Sequence, residues 1–445
     1  MLFVNQQNNH QVVLRFSDKH PFALCNDTII ELARVATDVS GLKKQLELSD
    51  GDVLMCCKGR YAFSVALLAT WAAGRLAILP PNLHQHTLNH ITDCHNVTTV
   101  LNDDFLDDLT NAGDPLKESQ LELSFDAQND ALMMYTSGSS GEPKAIKKTI
   151  GNLFSEALSI QATLPKINTP LVASVPPNHL YGLTFSIILP WVLDVAIVDA
   201  CPLHVEEVLD LMREVNADLL ITVPVHLSAM LRQDIIRAPQ SVISSAGRLD
   251  VGVAQQWYDR FGYEVFEVYG STETGVIAHR NQLSDAYWKP FPKVCIDQHD
   301  GCLQVASPFI HGCDGEVFQS NDKVSLQEHG FVLHGRADGI VKIAGKRVSL
   351  LAVERAIMEC DGVIDVAVVA VPVHSHIRDM TIWAAIACDE GAVMTARDVR
   401  TMLSSTLDGI EIPRRISIHT SLPREHNGKI RRADVLALFD VNNED

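Results

Sequence analysis

A chain of 445 residues is too long for one ordinary domain and long enough to bury a large core, so two or more domains are expected. With 47% hydrophobic and 20% charged residues it is a folded globular protein, and a formal net charge of −19 argues against a protein that grips a nucleic-acid backbone. Its ten cysteines include no C-x-x-C pair, which fits reduced thiols in a cytosolic protein and not a disulfide frame or a zinc site.

In chain order, MLFVNQQNNHQ has neither a basic leader nor an apolar core before a cleavage signal, so no secretory peptide is read there. The two most membrane-like runs are Ala62 to Leu79, broken by Gly74 and Arg75, and Leu183 to Val198, broken by Pro190 and Asp194. Buried helix-plus-strand units explain both better than spans of about 20 clean apolar residues.

From Ala131 onward, apolar runs of strand length alternate with amphipathic segments. LVASVPP (171–177), ADLLITVP (217–224), SVISSAG (241–247) and YEVFEVYG (263–270) each run into a turn. VEEVLDLMREV (205–215) and VAQQWYDRF (253–261) carry helical spacing between them. The pattern is α/β, and in such folds ligands sit where the strands end. After Gly335 the texture changes. VKIAGKRV leads into a helix (LLAVERAIMEC), two strands (VIDVAVVAVPV, TIWAAIAC), a further helix near ARDVRTMLSSTL and a basic terminal segment. The boundary falls near Arg336–Asp338, giving a large domain over 1–337 and a small one over 338–445, with a short hinge.

TSGSSGEPK (136–144) concentrates hydroxyls and glycines beside a lysine. Such a turn offers consecutive N–H groups and close approach to a phosphate, although composition alone also suits a flexible surface turn. It is not a Walker loop, because Lys144 follows Pro143 and precedes Ala145. The order of its residues resembles the phosphate loop of the adenylate-forming superfamily of acyl- and aryl-CoA synthetases, luciferases and peptide-synthetase adenylation domains. VYGSTETG (268–275), NDKVSLQEHGFVLHGRAD (321–338), VKIAGKRVSLLAVE (341–354) and LPREHNGKIRR (422–432) resemble that family's later elements in the same order. WAAGRLAILPPN (71–82) is a fainter echo.

The resemblance implies layered α/β subdomains in a large N-terminal domain, a small mobile C-terminal α/β domain, and ATP with Mg²⁺ as cofactors. A carboxylate would attack the α-phosphorus of ATP, and a thiol of CoA or of a carrier protein's phosphopantetheine would then take the acyl group. Thr136, Ser137, Ser139 and Thr272 would bond phosphate oxygens, with Gly138, Ser140 and Gly141 shaping the loop and Lys144 at its end. Glu273 would bind Mg²⁺, a hard cation suited to a carboxylate. Tyr269 and Gly270 would lie against the adenine, Asp322 would accept from the ribose hydroxyls, and Arg336 would reach the ribose-phosphate region. S-N-D at 320–322 stands where the family has T-G-D, so Asn321 alters the local turn. Lys429 would stabilise the adenylation transition state, and Asp338 would be the hinge about which the Gly345, Lys346, Arg347 turn replaces it for thioester formation.

PPNHLYGLTFS (176–186) contains no acid to pair with an α-ammonium, which excludes the amino-acid substrates of the peptide-synthetase branch. His179 and Tyr181 resemble the H-x-x-G-L pattern of acyl and aryl ligases, and VPVHLSAM (223–230) together with Ser245, Ala246 and Gly247 would line an apolar pocket. An aryl or medium-chain acid is expected. The short N-terminal part resembles the compact ligases of aryl-polyene and xanthomonadin-type pathways. The basic stretch 412–433 would face CoA phosphates or an acidic carrier protein. A luciferase-like oxygenase and a non-catalytic nucleotide-binding protein remain as alternatives on the same fold.

Overall fold

A computed structural model describes residues 2–4, 11–16, 21–25, 28–110, 121–137, 143–202, 204–233, 235, 238–247, 249–312, 317–336, 339–375, 378–388, 394–423 and 432–440. Two compact units emerge, the first from Met1–Thr136 with Lys144–His334, the second from Ser137–Pro143 with Gly335–Asp445.

The larger unit is built on two α/β sheets. One orders the strands Pro143–Thr149, Asp130–Ser137, Ala77–Leu79, Asp52–Met55 and Val97–Leu101, with parallel pairing from Asp130–Ser137 across to Val97–Leu101. The other is nine-stranded among the described residues. Its parallel centre runs Val265–Ser271, Ser241–Ser244, Leu219–Thr222, Leu171–Ala173, Ile197–Val198 and Ala23–Cys25, and antiparallel strands close both edges. Parallel strands covered on both faces read as continuous apolar runs, which is why LLIT and the adjacent LVA strand are buried at every position.

The first membrane-like run is the helix Arg60–Ala72 followed by the strand Ala77–Leu79. Nearly every residue of that helix is buried, as expected of one enclosed by other layers. The second is a chain of short helical pieces, with a π-helical turn at Thr184–Ile188, followed by the strand Ile197–Val198. Among the described residues no helix is long and apolar enough to cross a membrane. Local chemistry sets the ends of two helices of this unit. Thr149 and Asn152 form a reciprocal capping box on Ile150–Thr163, while Asp250 caps Val251–Phe261 and Gly262 ends it in a left-handed conformation at φ 78°. A four-stranded antiparallel sheet, Cys295–His299, Cys302–Ala306, Phe318–Gln327 and Gly330–Arg336, completes this unit.

The smaller unit opens with the hairpin Ile340–Ile343/Lys346–Ser349, in which Ala344 and Gly345 take φ of 46° and 83°. The helix Leu350–Met358 follows, capped by Ser349. The long strands Val363–Ser375 and Arg378–Cys388 and the strand Arg415–His419 make its sheet, with the helices Ala396–Leu403 and Arg432–Asp440 beside them in sequence. Val348, Val353, Ile357, Ile382, Ala384, Ile386 and Leu403 lie in a core of its own.

Candidate active site

The parallel strands of the large sheet stand in tight register, with Ile221 opposite Ile243, Thr222 opposite Ser244, and Ser244 opposite Glu267. Their carboxyl ends therefore deliver a row of polar groups to one edge. The Ser174 and Thr222 hydroxyls are 2.8 Å apart, and His226 Nδ1 lies 2.8 Å from Ser174 Oγ. Burial holds the His226 imidazole below its ordinary pKa, favouring the neutral ring. Ser245 Oγ donates to the Val268 carbonyl at 2.8 Å, and Ala246 follows at φ 66°, in the left-handed region. The Tyr181 hydroxyl lies 2.9 Å from the Thr222 carbonyl and 3.0 Å from that of Ile243, a phenol fastened across two strand ends. Burial raises its pKa well above the ordinary range. His179 precedes the short helix Leu180–Leu183 as its N-cap, where a Cβ on Gly182 would meet the Pro176 carbonyl oxygen at 1.9 Å.

Tyr269 lies at a bulge where Val265–Ser271 pairs with Gly275–Asn281. Its ring packs 5.6 Å from Trp288 and 5.8 Å from Phe331, and its hydroxyl donates to Asp322 Oδ2 at 2.5 Å. Asp322 sits on the strand Phe318–Gln327, with its amide bonded to Ser320 Oγ at 3.1 Å. The expected adenine-facing ring and ribose-facing carboxylate thus meet, although one carboxylate oxygen already accepts from the tyrosine.

Thr272 and Glu273 occupy the turn between those two strands. Ser271 and Thr274 brace it through hydroxyls 3.0 Å apart, and Gly275 turns the chain at φ 72°. Beneath it the fully buried Lys148 ammonium donates to the Glu273 carbonyl at 2.9 Å and the Phe309 carbonyl at 2.7 Å. Glu156, also buried, accepts from the Val276 amide at 2.8 Å and the Thr184 hydroxyl at 3.3 Å. Burial pushes the Glu156 carboxyl up in pKa, against the pull of the Lys148 ammonium.

Thr136 and Ser137 end the strand Asp130–Ser137, and Lys144 lies exposed on Pro143–Thr149, the strand that continues to Lys148. Arg336 ends the strand Gly330–Arg336. Gly138, Ser139, Ser140, Gly141, Asp338 and Lys429 lie outside the described residues. In the smaller unit, the hairpin turn is Ala344–Gly345, so of the predicted turn only Gly345 lies in it; Lys346 and Arg347 begin the following strand, paired with Ile343 and Lys342, and Lys346 Nζ pairs with Asp408 at 3.2 Å. Lys148, Glu156, Ser174 and Thr222 were not singled out by sequence, and His226 stood only within a quoted pocket segment. For Lys148 the only local sign was a lysine inside a strand whose neighbours Ile146 and Ile150 are apolar.

A bulged tyrosine beside an aspartate, a glutamate-bearing turn and a polar row at parallel strand ends together define an adenylate-forming enzyme. Residues 31–296 match the AMP-binding enzyme family and residues 352–429 match the AMP-binding enzyme C-terminal domain, so the chain belongs to that family and is an acid–thiol ligase. It is 22% identical to the malonate–CoA ligase ACSF3 of Mus musculus, over 94% of this chain and 86% of that one. It is 27% identical to the p-hydroxybenzoic acid–AMP ligase FadD22 of Mycobacterium tuberculosis, over 86% of this chain but only 61% of that longer protein. In fold it is similar to the o-succinylbenzoate CoA synthetase of Bacillus subtilis, with a TM-score of 0.78 at 17% identity, covering 94% of this chain and 95% of that one.

Proposed function

We propose that the enzyme activates an aryl or medium-chain carboxylic acid with ATP and passes the acyl group to a thiol of CoA or of a carrier protein. The observation that carries this reading is the chemistry of the strand-end edge. The segments 174–181, 222–226 and 245–247 contain no carboxylate and no Lys or Arg, only hydroxyls, the Asn178 amide, His179, His226 and apolar groups. An α-ammonium would find no counter-charge there, and neither would the second carboxylate of a dicarboxylic acid. An aryl ring with a small polar substituent fits such a lining. FadD22 supports the choice.

In the first step the substrate carboxylate oxygen bonds to the α-phosphorus as the bond to the pyrophosphate oxygen breaks. In the second, the thiol sulfur bonds to the acyl carbon, and AMP leaves as the thiol proton is lost. Negative charge develops in both, so the chain's contribution is orientation and preorganised donors. Tyr269 and Asp322 would hold the nucleoside, and Thr136, Ser137, Ser139 and Thr272 the phosphates. Lys429 would donate to oxygens that gain charge in the first step, and the Gly345–Arg347 turn would serve the second.

The Glu273 carboxylate, on a turn braced by Ser271 and Thr274, would hold Mg²⁺, a hard cation suited to a carboxylate. That ion would neutralise phosphate charge when bound. Pyrophosphate exchange across 4-hydroxybenzoate, cinnamate, octanoate, malonate and free α-amino acids tests the reading. Exchange is expected with the first three. A preference for malonate or for any amino acid would overturn it.

A further inference from the structure

The fold buries a lysine and a glutamate beneath the turn that carries Glu273. Lys148 is at 0% exposure and Glu156 at 2%. Both are expensive to desolvate, and an apolar pair of similar volume would serve packing alone as well or better. Their contacts are unusually specific. The ammonium bonds the backbone carbonyl of Glu273 itself, and the carboxylate bonds the amide of Val276 three residues on. Gly275 between them turns at φ 72°, where a Cβ would meet Glu156 Oε1 at 2.9 Å. The second acceptor of Lys148, the Phe309 carbonyl, belongs to another segment, and the Thr184 hydroxyl ties Glu156 to the π-helical turn.

We infer that Lys148 and Glu156 are positioning residues that pin the two ends of the Thr272–Gly275 turn and so aim the Glu273 carboxylate at the metal–phosphate centre. Lys148 grips a carbonyl on one side of the turn and Glu156 an amide on the other. Lys148 is the penultimate residue of the strand Pro143–Thr149. The inference rests on reading Glu273 as the metal-facing carboxylate.

The test uses the full chain as wild type, Glu273→Ala, Lys148→Met and the double variant Lys148→Met/Glu156→Gln. The double variant leaves no uncompensated buried charge, so it carries the experiment if the single variant fails to fold. Mn²⁺ binding in the presence of ATP is read from the free-ion electron paramagnetic signal, AMP binding without metal by calorimetry, and folding by thermal melting. Lys148→Met and the double variant are expected to weaken Mn²⁺ binding about tenfold or more, the scale seen when a residue orienting a metal ligand is removed, with AMP binding unchanged. Wild-type Mn²⁺ affinity in a folded variant, while Glu273→Ala has lost it, would overturn the proposal. So would a parallel fall in Mn²⁺ and AMP affinity, or failure of both variants to fold, since each marks a general structural role. Wild-type Mn²⁺ binding by Glu273→Ala would instead strike the assignment of Glu273, and the inference with it.

Discussion

The hydrogen bond from Tyr269 to Asp322 joins a ring held by Trp288 and Phe331 to the carboxylate proposed for the ribose. Removing only the hydroxyl leaves the ring packing in place but takes one donor from the carboxylate. Tyr269→Phe should cost roughly 0.5–1.5 kcal/mol of nucleotide binding, the net worth of one such bond, and raise KM for ATP by about two- to tenfold. The rate at saturating ATP should hold, since the lost contact orients the nucleoside and not the reacting phosphorus. Steady-state pyrophosphate exchange over a range of ATP concentrations checks this, and an unchanged KM would detach Tyr269 from nucleotide binding. Asp322 itself was readable in the sequence as the aspartate of S-N-D. Lys148 and Glu156 were not, because a charge on a strand or helix reads as a solvated position until tertiary packing covers it.

At the level of elements, the short helix Leu180–Leu183 approaches the preceding segment so closely that only glycine fits at 182. Gly182→Ala would force its Cβ against the Pro176 carbonyl and shift the 176–179 segment that carries His179. The cost should be about 1–3 kcal/mol in urea unfolding, as for other overpacked sites. Acid-dependent pyrophosphate exchange should fall further than ATP binding does; equal losses would separate this segment from the acid site. The parallel strands were legible because burial on both faces turns them into apolar runs bounded by turns, as at Leu219–Thr222. Their exact ends were less so: SVISSAG ends in a turn as read, but pairing already stops at Ser244 and the turn begins within the segment. The π-helical turn Thr184–Ile188 left no mark that periodicity could detect.

For the whole molecule, the proposed two-step reaction asks one small unit to serve twice, through Lys429 and then through the Gly345–Arg347 turn. Asp338→Pro would fix φ at the junction near −65°. Pyrophosphate exchange should survive while transfer to CoA or a carrier-protein thiol is lost, with ATP still raising the melting temperature. Equal residual rates in both half-reactions would count against alternation. The small unit's hairpin, helices and three strands carry a core of their own around Ile343, Val353, Ile386 and Leu403. On the proposed reading, changes to the loops and basic residues of this unit would alter the preferred thiol against a local stability reserve, while the choice of acid, proposed for a different sheet, would be inherited separately.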